Sequence, residues 1–189
     1  MKYKIGVFGS ALEKNDEKIV NMARDLGKAL SDRDVIVING ACKGLPYEVA
    51  NFAVKNGTEV WGFSPEVDFE NQKKFTPNPD LSIYSKLFYI PKDYEFVDRD
   101  MARKKYRNVS STASCDAGII ISGRWGTMNE FTNLYDMGKV IGVLTGSGGV
   151  ADVIEYLSKK ISKVTGATIL FDDNPKELVE KIIDILEKL

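Results

Sequence analysis

One stretch limits the possible folds more than any other: Ala117-Gly-Ile-Ile-Ile-Ser-Gly-Arg-Trp-Gly-Thr-Met-Asn-Glu130. Ala117 to Ile121 is a short, isoleucine-rich apolar run, the pattern of a buried parallel strand. Ser122 to Gly126 interrupts it with glycines. From Thr127 onward Met128, Phe131, Leu134 and Tyr135 recur at helical spacing. A strand that enters a helix through a glycine turn presents free backbone N–H groups beside the positive end of the helix dipole, so an anion can be held there. Thr127 can cap the helix or add a hydroxyl to that anion. Glu130 lies one turn in, close enough to act on whatever the anion belongs to. The plain alternative is a connection that needs glycine only for its backbone angles, and glycine patterns alone are weak signals.

The rest of the chain repeats the alternation. Tyr3 to Phe8 reads as a strand ending in Gly9-Ser10. A helix follows from about Asp16 to Leu30, with Ile19, Met22, Ala23, Leu26, Ala29 and Leu30 on one stripe. Val35 to Ile38 is a second strand, closed by the turn Asn39 to Gly44. A short helix runs from Pro46 to Lys55 and Gly57 ends it. Glu59 to Ser64 is a third strand. Pro65 to Leu81 lacks periodicity and reads as a long loop. Lys86 to Ile90 is a short strand, and helical spacing returns from Val97 to Ser114. After the central strand and its helix to Gly138 come a strand at Val140 to Leu144, a helix at Ala151 to Val164 and a last strand at Thr168 to Phe171. Asn174-Pro-Lys-Glu177 then starts a helix carrying Leu178, Ile182, Ile185 and Leu189. The fold class is α/β: a three-layer, Rossmann-like, doubly wound and mostly parallel sheet in a single domain, 1–189.

Composition removes several functions. Histidine is absent from the 189 residues, which rules out Ser-His-Asp and Cys-His nucleophile systems and imidazole metal sites. Catalysis must rest on carboxylates, Arg, Lys, Tyr, hydroxyls and backbone dipoles; no metal site is expected. The net charge of −1 offers no field for nucleic acid and no polybasic membrane anchor. No apolar run reaches the roughly 20 residues of a membrane helix, and a strand beginning at once leaves no room for a signal peptide. Cys42 and Cys115 match no zinc spacing and read as small buried thiols. A reducing cytoplasm is the expected location.

Parallel α/β sheets bind ligands at the carboxyl ends of their strands, where strand order reverses. Gly9-Ser10, Asn39 to Gly44 (with Gly40) and Ser122 to Gly126 all follow strands and fall on that edge. Together they favour an anionic, phosphate-bearing ligand. None matches the dinucleotide fingerprint or the phosphate loop ending in Gly-Lys-Ser/Thr, which disfavours an NAD enzyme or an ATPase. On the helix before the central strand, Arg103, Arg107, Ser110, Ser111 and Ser114 share one face. Ala102, Tyr106, Val109 and Ala113 share the other, expected to pack on the sheet. The first face suits phosphate or carboxylate, or is a solvated surface.

These residues resemble the Lonely Guy (LOG) family, often labelled lysine decarboxylase-like, within the SLOG superfamily of Rossmann-like nucleotide-binding proteins. In that family an Arg in a helix precedes an Asp-Ala that opens a strand, and the strand ends in Pro-Gly-Gly-x-Gly-Thr-x-x-Glu. Here the register gives Arg107-Asn108, Asp116-Ala117 and Ser122-Gly-Arg-Trp-Gly-Thr-Met-Asn-Glu130. The Arg-Asn pair is closer to the broader prokaryotic branch than to the plant-type enzymes. Ile5 to Ser10, Val37 to Leu45 and Glu59 to Pro65 resemble earlier family segments more loosely, so the likeness spans about residues 3–145. Ser122 replaces the family Pro, and Arg124 replaces its second Gly.

The resemblance implies a nucleoside 5′-monophosphate phosphoribohydrolase and a homodimer, with no cofactor. Cleavage of an N-glycosidic bond builds positive charge on the sugar. A carboxylate beside the anomeric carbon stabilises that charge and orients water; Glu130 is the candidate. Arg107 would grip phosphate or ribose, or help the base depart. The further ligand-binding candidates are Gly9, Ser10, Gly40, Gly44, Arg103, Asn108, Gly123, Arg124, Gly126 and Thr127. No lysine argues for a pyridoxal Schiff base. The alternative is a binding or carrier protein for a nucleotide or phosphorylated cofactor, toward which Arg124 in the glycine turn weighs.

Overall fold

The computed structural model describes residues 2–12, 16–77, 80–161 and 163–189. The chain runs β1 (Tyr3–Gly9), α1 (Glu17–Ser31), β2 (Val35–Asn39), α2 (Leu45–Lys55), β3 (Glu59–Phe63), α3 (Phe69–Phe75), a 3-10 turn (Leu81–Ile83) and β4 (Lys86–Phe88). It continues through α4 (Asp100–Ala113), β5 (Ala117–Ile121), α5 (Trp125–Asp136), β6 (Val140–Leu144), α6 (Ala151–Lys160), β7 (Thr168–Asp172) and α7 (Pro175–Leu186). The strands form one sheet ordered β4-β3-β2-β1-β5-β6-β7. Every neighbouring pair is parallel, which makes the sheet fully rather than mostly parallel among the described residues.

Both faces of the sheet are covered, as a parallel sheet requires. Leu26, Leu30, Val49, Leu178 and Ile182, from α1, α2 and α7, pack on one face with Ile5, Val37 and Ile119. Phe131, Leu134, Ala151 and Ile154, from α5 and α6, pack on the other with Phe8, Ile38 and Ile120. The central strand is buried along its whole length. Its Gly118 has a packing reason: a Cβ there would collide with Leu134, so the missing side chain lets α5 lie close on β5. Among the described residues, no helix is long and apolar enough to cross a membrane.

Four expectations differ from the structure. The segment expected as a loop from Pro65 contains α3, which hydrogen bonds rather than apolar burial hold in place. Its one buried residue is Gln72. The Gln72 Nε2 donates to the Ala41 carbonyl at 2.8 Å and to Thr76 Oγ1 at 2.7 Å, while Ser64 Oγ donates to Gln72 Oε1 at 2.5 Å. A helix anchored by one glutamine leaves no apolar period to read. In α4 the expected apolar face is only partly covered: Val109 is 46% exposed and Ala113 is exposed, with Ala102 and Tyr106 half-buried, whereas Asn108, Ser111 and Thr112 are buried. Burial of those hydroxyls is tolerated because each bonds back to the Asn108 carbonyl, at 3.1 and 2.7 Å, satisfying it within the helix. Finally, α6 ends at Lys160, and Ile161 and Val164 are exposed; Leu189 likewise lies in solvent beyond α7.

Replacing Gln72 by Leu strands the Ser64 hydroxyl and the Ala41 carbonyl in a buried place. Urea unfolding should show a loss of about 1–3 kcal/mol with an unchanged m-value. An unchanged midpoint would show that α3 is held by something else.

Candidate functional site

From β1 the chain winds outward through β2, β3 and β4, then crosses back by α4 to enter β5 on the other side of β1. Strand order therefore reverses between β1 and β5, and a crevice opens at their carboxyl ends. A cavity of ≈ 60 Å³ lies there. Phe8, Gly9 and Ala11 of the first turn line it, with Gly40, Cys42 and Lys43 of the second, and Arg107 and Glu130 reach it from α4 and α5. Wider grooves of ≈ 530 and ≈ 520 Å³ run beside α1 and beside α3. Among the described residues neither has a buried charged side chain in its lining, whereas the smaller crevice has the buried Glu130.

Arg107 is held but not satisfied. Its Nη1 donates to the Gly40 carbonyl at 2.6 Å, and its Nε is buried with no acceptor. The approach requires glycine, since a Cβ at position 40 would collide with the guanidinium. Glu130 is 7% exposed and faces the same crevice, with no hydrogen bond or ion pair among the described residues. Burial pushes its pKa up to about 7, and the charges of Arg107 and Lys105 only partly oppose that rise. Near neutrality this carboxyl can therefore hold or release a proton.

The turn after β5 supplies backbone donors. Ser122 and Gly123 have φ of 53° and 99°, the left-handed region that glycine enters without strain. Ser122 N donates to Ser147 Oγ at 2.8 Å, and Val150 N donates to the Gly123 carbonyl at 3.0 Å. Both bonds fix the turn from the loop after β6. The N–H groups of Gly123, Arg124, Trp125, Gly126 and Thr127 meet no acceptor among the described residues. The helix begins at Trp125, earlier than expected, with Arg124 as an N-cap that makes no side-chain cap bond. Thr127 is thus the third residue of α5, buried under Gly123. Arg124 is exposed without a partner among the described residues, and Trp125 is 84% exposed beside it.

The remaining candidates have mainly structural contacts. Arg103 is spent on the scaffold: Nε donates to the Pro65 carbonyl, Nη1 to the Val97 carbonyl, and Nη2 pairs with Glu66 at 3.2 Å. Asn108 Nδ2 donates to Asn129 Oδ1 at 3.0 Å, bracing α5, while its own Oδ1 is buried without a donor. Ser10 Oγ accepts from Leu12 N at 3.3 Å, and the Ser10 carbonyl accepts from Leu45 N at 2.9 Å. Gly44 has φ 90°, and a Cβ there would strike the Ser10 carbonyl, so the first two turns are locked together. Sequence reasoning overlooked Asn39, 1% exposed, whose side chain accepts from Ala41 N at 2.9 Å and donates to the Pro46 carbonyl at 3.1 Å. It also read Cys42 as a buried thiol; the signal was its position between two flagged glycines.

The model of the SLOG cluster4 family matches residues 2–179. No curated protein matches the chain. Among solved structures, the structural-genomics target TM1055 has a TM-score of 0.73 at 20% identity, with 100% of each chain covered. The Moco carrier protein of Chlamydomonas reinhardtii has a TM-score of 0.73 at 18% identity, again with 100% of each chain covered. DNA processing protein A of Streptococcus pneumoniae has a TM-score of 0.67 at 15% identity, with 95% of this chain and 61% of that one covered. At these identities the likeness is one of fold.

The buried carboxyl makes stability depend on pH. Raising it from 4.5 to about 7 amounts to about 3 kcal/mol of preference for the neutral form. The folded state then binds the extra proton, so stability falls as pH rises from about 4.5 to 7. Glu130→Gln should match wild type near pH 4 and exceed it by up to about 3 kcal/mol at pH 8 in urea unfolding. A constant difference across that range would mean the carboxyl titrates normally.

Proposed function

We propose that this chain, which belongs to the SLOG cluster4 family, holds a small phosphorylated molecule at its switch-point crevice, as a binding or carrier protein. One observation carries the reading. A row of unpaired N–H groups at the start of α5, a guanidinium short of an acceptor and a buried, unpartnered carboxyl are set around one strand-order reversal. The N–H row suits a phosphate. Arg107 suits a second anionic oxygen. Glu130, poised between its two forms, can donate to or accept from a ring amide edge of the sort purines and pterins present. Arg124 adds a cation beside the turn where the LOG pattern has glycine, which favours firm retention of an anion. A carrier of the molybdenum cofactor with the same fold supports this class of role. The net charge of −1 argues against a nucleic-acid strand as the ligand.

Glu130 itself favours a second reading, LOG-type hydrolysis of a nucleoside 5′-monophosphate. Ionised, it would face the anomeric carbon as positive charge develops on the ribose and would orient the attacking water. Arg107 would then neutralise the phosphate or aid departure of the base. The homodimer that the LOG resemblance implies belongs to this reading.

Calorimetry with 5′-AMP and with the molybdenum cofactor tests the first reading. The reduced protein should bind one of them, and Arg107→Ala should weaken binding roughly 10- to 100-fold, about 1.5–3 kcal/mol. Absence of binding to either would contradict it. Chromatography of the AMP mixture separates the two readings. A carrier leaves AMP intact, whereas release of adenine and ribose 5-phosphate that Glu130→Gln abolishes would establish the hydrolase.

A further inference from the structure

The two thiols sit in different chemical settings. Cys115 is 1% exposed, donates to the Ser111 carbonyl at 3.0 Å, and is pushed well up in pKa by burial. Such a thiol is inert. Cys42 is half-buried and opens onto the switch-point crevice. Its Sγ donates to the Gly40 carbonyl at 3.2 Å, the oxygen that also takes Arg107 Nη1, and lies 3.8 Å from Nη1 itself. Cys42 shares that crevice with Glu130, 7% exposed and without a hydrogen-bond partner among the described residues, and with an Arg107 Nε that is buried and unpaired. Those two groups mark space for a ligand, and the thiol borders it.

We propose that Cys42 is a reversible modification site within the crevice: a peroxide oxidises it to a sulfenic acid, and a low-molecular-weight thiol such as glutathione then caps it in the ligand's place. In the first step the sulfur gives two electrons to the peroxide. The O–O bond breaks, an S–O bond forms, the thiol hydrogen leaves with the departing oxygen, and one water is released. The Arg107 guanidinium is near enough to turn from the Gly40 carbonyl to the new sulfenyl oxygen. In the second step the glutathione sulfur attacks Cys42 sulfur, an S–S bond forms and the sulfenyl oxygen leaves as a second water. A dithiol reductant reverses the cap. A glutathionyl group on Cys42 would lie across the mouth of the crevice that Cys42 lines together with Arg107 and Glu130, and so would compete with a ligand for that place. This blocking half rests on the proposed ligand site; the selectivity between the two thiols does not.

The whole chain, treated with hydrogen peroxide and glutathione and then digested, tests the proposal by mass mapping. A disulfide to glutathione should form on Cys42 roughly tenfold or more faster than on Cys115. It should vanish with dithiothreitol and be missing from Cys42→Ser. No adduct, or an equal adduct on Cys115, overturns the modification site. In parallel, calorimetry compares 5′-AMP binding by the reduced and the capped protein. Binding lost on capping and restored by dithiothreitol supports the block, and binding unaltered by capping overturns it. Failure of the reduced protein to bind 5′-AMP counts against a nucleotide ligand, and the mapping still decides the thiol.

Discussion

The site exists because strand order reverses between β1 and β5. A parallel sheet returns to each new strand by a crossover over one of its faces. Here the first crossovers lead outward to β4, and α4 must then travel back across the sheet to start β5. That return delivers Arg107 to the carboxyl edge, and the following helix delivers Glu130 to the same place. The close fit of α5 on Gly118 and the locking of Ser10 against Gly44 hold the rims. The crevice is thus a consequence of topology, and side chains decide only what it accepts.

What those side chains hold is an electrostatic tension. A carboxyl with no hydrogen-bond partner among the described residues is costly to bury as an anion, and its raised pKa expresses that cost. Arg107 offsets part of it, but its own contacts go to a backbone carbonyl and a distant thiol sulfur. Natural cores satisfy such groups. Here they stay open in one crevice at the carboxyl edge of the sheet, the condition expected of a site that a ligand completes.

Much of the fold was legible because burial sets the pattern. The β5 run of isoleucines, the stripe on α1 and the Asn174 cap of α7 all have one physical reason each, and the structure shows the expected element in each place. Where other forces rule, the sequence misleads. The α3 helix depends on Gln72, and a buried amide leaves no periodicity. The α4 helix buries hydroxyls that satisfy themselves, while Val109 and Ala113 are left exposed. At the site, glycines and charged residues were visible as types at a strand end. That Arg103 is bound up with Glu66 and Pro65, while Arg107 is left short of an acceptor, depends on tertiary contacts that spacing does not carry.

The most direct test of the central claim, that Arg107 and Glu130 share one anion-binding crevice, is a carbon-detected NMR titration of the Glu130 carboxyl. The midpoint should lie at about 7, climb further in Arg107→Met and climb again when inorganic phosphate saturates the wild-type protein. A midpoint near the ordinary 4.5, indifferent to both changes, would contradict it.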